Sequence, residues 1–272
     1  MPLNTLHRFH DLFSVTHYPS GEFHVALRPN VYSPGNHINI LADDIRDFNG
    51  LGCLVSANDI LSRLRCEPKW FVPFFPFARD DRRNTSNDGF ELGMAIKMVE
   101  HMDITILDPH SDVAGMLKHI PQEVVVGHWQ QCWGLWGEKV CFIIPDAGAI
   151  KKANKFIGSN PSVVCHKTRD TATGKLSGFG ITSGEEHILG AHCVIVDDIC
   201  DGGGTFMGLA KIIRQHKPAQ LDLVVTHGLF TRGINDLLGI FDQLYTTGKQ
   251  PHCFPLFHTI PHEVIWKGEG RP

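Results

Sequence analysis

Residues 194–205, VIVDDICDGGGT, join an apolar run to three carboxylates, three glycines and a threonine. When a glycine loop enters a helix, its backbone N–H groups can point at an anion, and the helix dipole adds to the attraction. Beside a bound phosphate, Asp197 and Asp198 would be repulsive unless they serve another partner, and diol hydroxyls with a divalent cation are the natural choice. The pattern therefore predicts a ribose phosphate site. Its phosphate loop would consist of Asp201, Gly202, Gly203, Gly204 and Thr205.

Polar residues also follow four other predicted strands, at the ends where the loops of a parallel sheet converge and ligands bind. A single Asp after a strand is more typical of a helix cap than of a catalyst. A lone His is more often a structural residue than a catalytic one. A Lys or Arg in such a segment usually belongs to a solvated loop. Because such residues recur at several strand ends, together they favour a functional site. They are Asp108, His110, Asp146, Lys167, Arg169, Thr226 and His227.

Short apolar segments alternate with stretches of helical periodicity along the chain, as in a mainly parallel α/β protein. One predicted helix, 86–102, opens with capping residues, and another, 205–216, has an apolar face and ends before Pro218. The predicted strands are 23–27, 37–41, 69–75, 103–107, 139–144, 162–165, 192–196 and 221–225.

The arrangement of apolar strand, carboxylate, loop and helix occurs three times, in ITILDPH, CFIIPD and VIVDDICD. This repetition is compatible with two similar halves. The segment HWQQCWGLWGEK, rich in Trp and Gly, is the candidate boundary between them. We therefore expect an N-terminal domain over residues 1–128 and a C-terminal domain over residues 129–272.

Composition limits the possible classes of protein. A formal net charge of −4 argues against a general nucleic-acid binder, whose phosphate contacts need a basic face. The eight cysteines form no CxxC pair, which indicates free thiols in a reducing compartment. No apolar run approaches the roughly 20 residues that span a bilayer, so we expect a cytoplasmic protein without a membrane partner. Neither GxxxxGK[ST] nor a correctly spaced GxGxxG is present, so neither a Walker-type NTPase nor a Rossmann dehydrogenase is supported.

The segment VIVDDICDGGGT resembles the ribose-5-phosphate loop that type I phosphoribosyltransferases share with ribose-phosphate pyrophosphokinases. Other segments resemble motifs of the pyrophosphokinases, in the same order and over about residues 17–261. They are YPSGE (FxDGE in the family), PFARDDRR (YARQDR), LDPHSD (DLHxxQ), PDAGAIKKA (PDxGGxxRA), HKTRD (DKRR) and THGLF (THxxF). On these segments the chain resembles the ribose-phosphate pyrophosphokinase family.

The resemblance implies two similar phosphoribosyltransferase-like domains, each a mainly parallel sheet flanked by helices. It implies a magnesium-dependent enzyme that transfers the pyrophosphoryl group of ATP to the anomeric hydroxyl of ribose 5-phosphate. AMP and phosphoribosyl pyrophosphate would be the products. An ATP site shared between subunits would make the protein at least a dimer.

The resemblance also assigns roles to individual residues. Lys167 and Arg169 would stabilise the transferred group, and Asp197 and Asp198 would bind the ribose hydroxyls and a second cation. Magnesium on the ATP phosphates would be bound by His110 and Asp146. The residues implied for ATP binding are Tyr18, Ser20 and Glu22 from a neighbouring subunit, with Arg79, Asp80 and His110.

The chain departs from the family at several positions. Gly202 replaces a common Thr and opens space beside the phosphate, so a substituted phosphate such as that of ADP-ribose is an alternative acceptor. Ser20 and Asp80 replace Asp and Gln of the family, and HKTRD has one Arg fewer. Two other classes stay open: a phosphoribosyltransferase that consumes phosphoribosyl pyrophosphate, and a catalytically silent regulatory homologue. The presence of Lys167, Arg169, His110 and all the loop carboxylates argues against the silent homologue.

Overall fold

The computed structural model describes residues 6–29, 37–83, 85–133, 140–169, 176–248 and 257–268. They form two compact units, of which the first comprises the chain up to residue 121 together with the C-terminal residues from 262. The second unit comprises residues 122–261. The expected boundary after residue 128 falls within the first helix of the second unit, Gln122–Trp133. Two domains with that boundary stay a prediction.

The first unit is built on a five-stranded parallel sheet. Its elements are β1 (Leu6–Arg8), α1 (Phe9–Leu12), β2 (Phe13–His17), β3 (Phe23–Leu27), β4 (His37–Leu41), α2 (Phe48–Arg63), β5 (Glu67–Val72), α3 (Glu91–Val99), β6 (Asp103–Leu107), a 3₁₀ helix (Ala114–Met116) and β7 (Lys118–Ile120). The strand order is β1-β4-β5-β6-β7, and β2 and β3 form a separate antiparallel hairpin.

Helix α2 shows how the sequence forms this unit. Asp47 caps its first turn by accepting a hydrogen bond from the backbone N–H of Gly50 at 2.8 Å. Leu51, Leu54 and Leu61 are fully buried on its inner side, at the spacing of one helical face. The helix therefore covers the sheet with leucine side chains.

The second unit is built on a seven-stranded sheet. Its elements are α4 (Gln122–Trp133), β8 (Val140–Ile144), a 3₁₀ helix (Ala147–Ala149), α5 (Ile150–Ala153), β9 (Ser162–Arg169), β10 (Leu176–Ser183), a 3₁₀ helix (Glu185–His187), β11 (His192–Cys200), α6 (Gly204–Gln215), β12 (Gln220–Gly228), α7 (Asn235–Leu238), β13 (Gln243–Thr247) and β14 (Phe257–Ile260). Helix α8 (His262–Gly268) belongs to the first unit, where Trp266 packs against Phe71.

The strand order of the second sheet is β10-β9-β8-β11-β12-β13-β14, and the β9–β10 pair alone is antiparallel among these described strands. One face packs against α6, with Cys193 and Ile195 of β11 in the same core as Leu209 and Ile213 of the helix. On the other face, residues of β8, β11 and β12 and residues of α4 such as Trp129 line one cavity. Helices on both faces are typical of a parallel sheet.

Several predicted boundaries need correction. Helix α3 starts at Glu91 rather than 86, because the capping residues form a turn of their own in which Asp88 accepts hydrogen bonds from Thr85. Strand β5 ends at Val72, since Pro73 follows and has no N–H for pairing. The predicted helix 205–216 and the strands 23–27, 37–41 and 103–107 are confirmed within one residue.

Strands β9, β11 and β12 are longer than predicted. Pairing continues past the apolar runs, so Asp197 of β11 faces Val225, and Ile199 faces His227 of β12. Asp197 and Asp198 therefore lie inside a strand and not in the loop after it. The α/β class with mainly parallel sheets is confirmed. In the ranges that the structure covers, no helix is both long and apolar enough to cross a membrane.

Candidate active site

A row of paired charges lies at the carboxyl edge of the second sheet. Lys167 of β9 contacts Asp146, which follows β8, with 2.7 Å between Nζ and Oδ2. Lys152 of α5 contacts Asp198 of β11, with 3.1 Å between Nζ and Oδ2. Because β9, β8 and β11 are neighbours in the sheet, the two ion pairs follow one another along this edge. The fold thus brings together predicted site residues from three strands.

Asp146 caps the 3₁₀ helix after β8. Its Oδ1 accepts hydrogen bonds from the backbone N–H groups of Gly148, at 3.0 Å, and Ala149, at 3.3 Å. Partial burial on its own would raise the pKa of Asp146, but Lys167 and the two N–H groups outweigh it and hold the pKa below its usual value. Asp146 is therefore ionised at neutral pH, and a metal ion would have to compete with Lys167 for its Oδ2 atom.

Asp197 and Asp198 form a crowded pair of carboxylates. The side chain of Asp198 is 8% exposed, and its backbone N–H donates to Oδ1 of Asp197 at 2.9 Å. Burial, and after it the charge of Asp198, raises the pKa of Asp197 well above its usual value. Lys152 provides one positive charge to this pair. A further cation would therefore bind favourably here.

The chemistry of this pair fits magnesium. Magnesium keeps several of its waters and takes one or two carboxylates together with phosphates of the substrate. Within the part of the chain that the structure covers, no group of three or more His, Cys, Asp or Glu side chains is arranged to hold a metal ion. Such a closed group is typical of zinc sites, whereas the open pair of Asp197 and Asp198 suits an ion shared with a ligand.

The predicted phosphate loop leads into α6 and leaves the start of the helix uncapped. Gly203 is the N-cap residue and has a φ of 76°, a conformation that residues with a Cβ rarely adopt. It has no side chain to accept from the first N–H groups of α6. At Gly204 a Cβ would meet no described atom within 4 Å, and Thr205 follows in the first turn. The loop therefore has the N–H groups and the open approach that an anion requires.

Asp201, the first residue of the loop, is anchored. Its Oδ1 accepts a hydrogen bond from the hydroxyl of Thr231 at 2.7 Å. Its carbonyl oxygen accepts from the backbone N–H of Thr231 at 3.1 Å. Asp201 therefore joins the loop to the turn that follows β12, and this carboxylate helps to shape the loop.

Arg169 is the last residue of β9, and its backbone is paired with Leu176 of β10. The side chain of Arg169 and residues 170–175, which include the end of the HKTRD motif, lie outside the described residues. Lys167, two residues earlier, is thus the described member of the predicted catalytic pair.

Tyr18, Ser20 and Glu22 lie at the tip of the β2–β3 hairpin in the first unit. The backbone N–H of Tyr18 donates to the carbonyl of Glu22 at 2.8 Å, and Gly21, with a φ of 91°, closes the turn. The hydroxyl of Ser20 donates to Oε2 of Glu22 at 2.9 Å. All three predicted residues are exposed, with Tyr18 at 49%. The tip is thus a surface feature.

Arg79, Asp80 and His110 follow the neighbouring strands β5 and β6, at the carboxyl edge of the first sheet. Asp80 lies beside the carboxyl group of Glu91 at the start of α3. A hydrogen bond between these two side chains is the main cause that raises the pKa of Glu91. This pairing was not predicted. The structure describes these residues in the first unit and the phosphate loop in the second.

Sequence reasoning missed two residues at the carboxyl edge of the second sheet. Lys152 belongs to the PDAGAIKKA segment, whose pattern predicts no role for it, although it pairs with Asp198. Thr231 follows the THGLF motif directly and anchors Asp201. The available signal was their place in the segments that follow β8 and β12, two strands whose ends already carried predicted site residues.

The chain is similar in sequence to known proteins. The phosphoribosyl transferase domain family matches residues 149–234, which contain Lys152, the phosphate loop and Thr231. The ribose-phosphate pyrophosphokinase of Corynebacterium glutamicum is 26% identical over 194 residues, which cover 66% of this chain and 58% of the relative. That of Ureaplasma parvum is 25% identical over 224 residues, which cover 78% of this chain and 66% of the relative. The matches span less than two thirds of these relatives.

The fold is similar to that of phosphoribosylpyrophosphate synthetase from Mycobacterium smegmatis. The TM-score is 0.76 at 18% sequence identity, over 94% of this chain and 88% of that protein. At this identity the match concerns the fold. Together with the sequence matches, it confirms the resemblance to the ribose-phosphate pyrophosphokinase family and the type I phosphoribosyltransferase fold.

Proposed function

We propose that this chain is a magnesium-dependent ribose-phosphate pyrophosphokinase. It transfers the β,γ-pyrophosphoryl group of ATP to the anomeric hydroxyl of ribose 5-phosphate and produces phosphoribosyl pyrophosphate and AMP. The observation that carries the proposal is the row of Lys167–Asp146 and Lys152–Asp198 pairs beside the uncapped start of α6. This row offers cations, carboxylates and an anion-binding loop at one edge of one sheet.

The acceptor binds in the second unit. N–H groups at the start of α6, with the hydroxyl of Thr205, hold the 5-phosphate. Asp197 and Asp198 accept hydrogen bonds from the ribose hydroxyls, which fixes the direction of the anomeric oxygen. Lys152, paired with Asp198, keeps that carboxylate in place.

Transfer depends on alignment and on positive charge. The anomeric oxygen attacks the β-phosphorus in line while the bond between the β-phosphorus and the oxygen that bridges it to the α-phosphorus breaks. AMP leaves with the electrons of that bond, and the proton of the anomeric hydroxyl passes to solvent. Lys167 and Arg169 stabilise the negative charge of the transferred group, as expected for phosphoryl transfer. Asp146 contacts Lys167 at 2.7 Å and so helps to position its ammonium group.

Magnesium is the proposed cofactor. Asp197 and Asp198 would hold one ion. His110 and Asp146 are candidate ligands of a second ion, which is bound to the ATP phosphates. When bound, the ion neutralises charge on the phosphates. ATP itself would be held by Arg79, Asp80 and His110, with the exposed Tyr18, Ser20 and Glu22 entering the site of a neighbouring subunit. The protein would therefore be a homo-oligomer.

ADP-ribose is a second candidate acceptor, favoured by the space at the phosphate loop. It also ends in a ribose with a free anomeric hydroxyl, but its 5-phosphate carries a substituent. The expected space at Gly202 is occupied, because the side chain of Arg232 lies 3.3 Å from where a Cβ would be, whereas at Gly204 a Cβ would meet no described atom within 4 Å. A substituted phosphate can leave the loop through this open side.

The proposal is tested by incubating the protein with ATP, magnesium and either acceptor, then measuring AMP and the product mass. We expect AMP with a product one pyrophosphoryl group heavier than the acceptor. The faster acceptor identifies the substrate. Binding of both acceptors without AMP release would favour the silent regulatory homologue. Consumption of phosphoribosyl pyrophosphate in the presence of a nucleobase would favour the phosphoribosyltransferase.

A further inference from the structure

Arg232 lies beside the phosphate loop, although its position in the chain is 30 residues later. It belongs to the turn that follows β12, which we call the 229–233 turn. Arg232 belongs to none of the sequence motifs described above, because the THGLF motif ends two residues before it.

The 229–233 turn is attached to the phosphate loop by hydrogen bonds. The backbone N–H groups of Leu229 and Phe230 both donate to the carbonyl of Cys200, at 2.8 and 3.2 Å. Thr231 donates to Asp201 from its hydroxyl, at 2.7 Å, and from its backbone N–H. Arg232 is the next residue, so its backbone has a fixed position relative to the loop.

The side chain of Arg232 occupies the space next to Gly202. A Cβ placed on Gly202 would lie 3.3 Å from both Cδ and Nε of Arg232. That distance is closer than ordinary van der Waals contact, so the absence of a side chain at residue 202 permits the arginine to lie there. The space left by the missing Thr of the family is therefore bordered by a guanidinium group.

The charge of Arg232 is available to a ligand. In the ranges that the structure covers, Arg232 is exposed and makes no ion pair or hydrogen bond. Lys152 and Lys167 already contact carboxylates along the same edge. The loop itself contains Asp201 and is close in sequence to Asp197 and Asp198, and these carboxylates repel an anion. An arginine fits this need because its planar N–H groups bind phosphate oxygens in pairs.

We propose that Arg232 is a specificity-determining residue that binds the phosphate group on C5 of the acceptor ribose. It supplies a charge-assisted hydrogen bond where the family's hydroxyl at position 202 is missing. This inference rests on the proposed function, because the acceptor is the ligand of the loop. The same group recognises a 5-monophosphate or the diphosphate of ADP-ribose, and the test separates these two.

The test compares the acceptor affinity of the wild-type protein with that of Arg232→Ala and Arg232→Lys by calorimetry, with ribose 5-phosphate and ADP-ribose as separate ligands. The control is Lys211→Ala, which removes one exposed positive charge from α6 away from the loop. Melting temperatures show that each variant is folded.

For Arg232→Ala we expect the Kd for the acceptor to rise about 10- to 100-fold, which is the range for a hydrogen bond to a charged group. Arg232→Lys should recover part of the loss. The KM for ATP and the effect of Lys211→Ala should each stay within about twofold of wild type, as for a surface change. A loss for ribose 5-phosphate identifies the monophosphate as the bound group, and a loss for ADP-ribose alone identifies the diphosphate.

Two failures are distinguishable. If the wild-type protein binds an acceptor and releases AMP, and Arg232→Ala binds that acceptor equally well, the role of Arg232 is wrong and the proposed function stands. If the wild-type protein binds neither acceptor, with or without magnesium and ATP, the proposed function and the inference both fail. An equal loss in Lys211→Ala would also overturn the inference, because it would show a general effect of charge.

Discussion

The two edges of the sheet in the second unit both carry charged side chains, but these charges have different partners. At the amino edge, Asp222 is fully buried and accepts from His192 at 2.7 Å and from Gln220 at 2.9 and 3.1 Å. At the carboxyl edge, burial and the charge of the neighbouring Asp198 raise the pKa of Asp197. One edge balances its carboxylate within the protein, and the other leaves negative charge that a ligand can balance.

This difference separates stability from function. A buried polar group with its hydrogen bonds satisfied contributes to a unique fold, and its loss leaves partners unpaired. A carboxylate with a raised pKa costs folding free energy and is retained where it serves another purpose. The same substitution, Asp to Asn, should therefore have opposite consequences at the two edges.

Asp197→Asn should have the largest effect on activity. Loss of the charge that holds the acceptor and the cation should lower kcat about 100- to 1000-fold, the range for one electrostatic contact in a transition state. At pH 7 the free energy of unfolding should be unchanged or higher, because the unfavourable charge is removed. Steady-state AMP release and urea unfolding measure the two quantities. A clear loss of stability with normal kcat would reverse the assignment of the two edges.

Asp222→Asn should have the largest effect on stability. It replaces a charged acceptor of His192 and Gln220 with a weaker one and should lower the free energy of unfolding by about 1–3 kcal/mol. The kcat of the folded protein should stay within about twofold of wild type, because the residue lies at the opposite edge from the site. Unfolding in urea measures the first expectation. An unchanged midpoint would show that the amino edge does not contribute as argued.

Gly203→Ala and Gly204→Ala form a matched pair at the start of α6. Gly203 has a φ of 76° and Leu237 lies 3.2 Å from where its Cβ would be, so the first change should cost about 1–2 kcal/mol. Gly204 has open space around its Cβ position and should tolerate alanine or gain about 0.4–1 kcal/mol. Thermal unfolding compares the two. Equal effects would contradict the described loop conformation.

Lys167→Met should have the smallest effect on stability. We expect it to weaken the dependence of the free energy of unfolding on pH. The folded pKa of Asp146 is below its usual value, so its ion pair contributes stability above about pH 4 and loses it as pH falls through the folded pKa. In the variant this acid-side decline should be weaker. Both side chains are about one third exposed, at 33% and 32%, so solvent screening keeps the difference small. Melting temperatures between pH 7 and pH 3 test it, and an unchanged decline would contradict the pairing.

The sequence predicted the part of the site that local pattern encodes. The glycine loop before a helix and the carboxylates at the end of an apolar strand are contiguous, so their types and spacing are readable. Helix 205–216 was predictable for the same reason, because its apolar face repeats with the helical period. The extent of β11 was not, since its continuation past Asp197 depends on pairing with β12.

Contacts between segments that are distant in the chain could not be predicted from the sequence. Lys151 and Lys152 are adjacent and of the same type, and the register of the short helix α5 directs Lys152 to Asp198. The pairing of His192 with Asp222 joins residues on neighbouring strands. Arg232 reaches Gly202 because the 229–233 turn is hydrogen-bonded to the loop. Each of these contacts follows from tertiary structure that no local pattern specifies.

The central claim is that the carboxyl edge of the second sheet serves transfer of a pyrophosphoryl group from ATP to a ribose. The most direct test is a ³¹P NMR time course of the protein with ATP, magnesium and ribose 5-phosphate, with Asp197→Asn as control. We predict that the ATP resonances are replaced by those of AMP and of a diphosphate ester on C1 of the sugar, and that the variant is nearly inactive. Formation of ADP instead of AMP, or equal turnover by the variant, would contradict the claim.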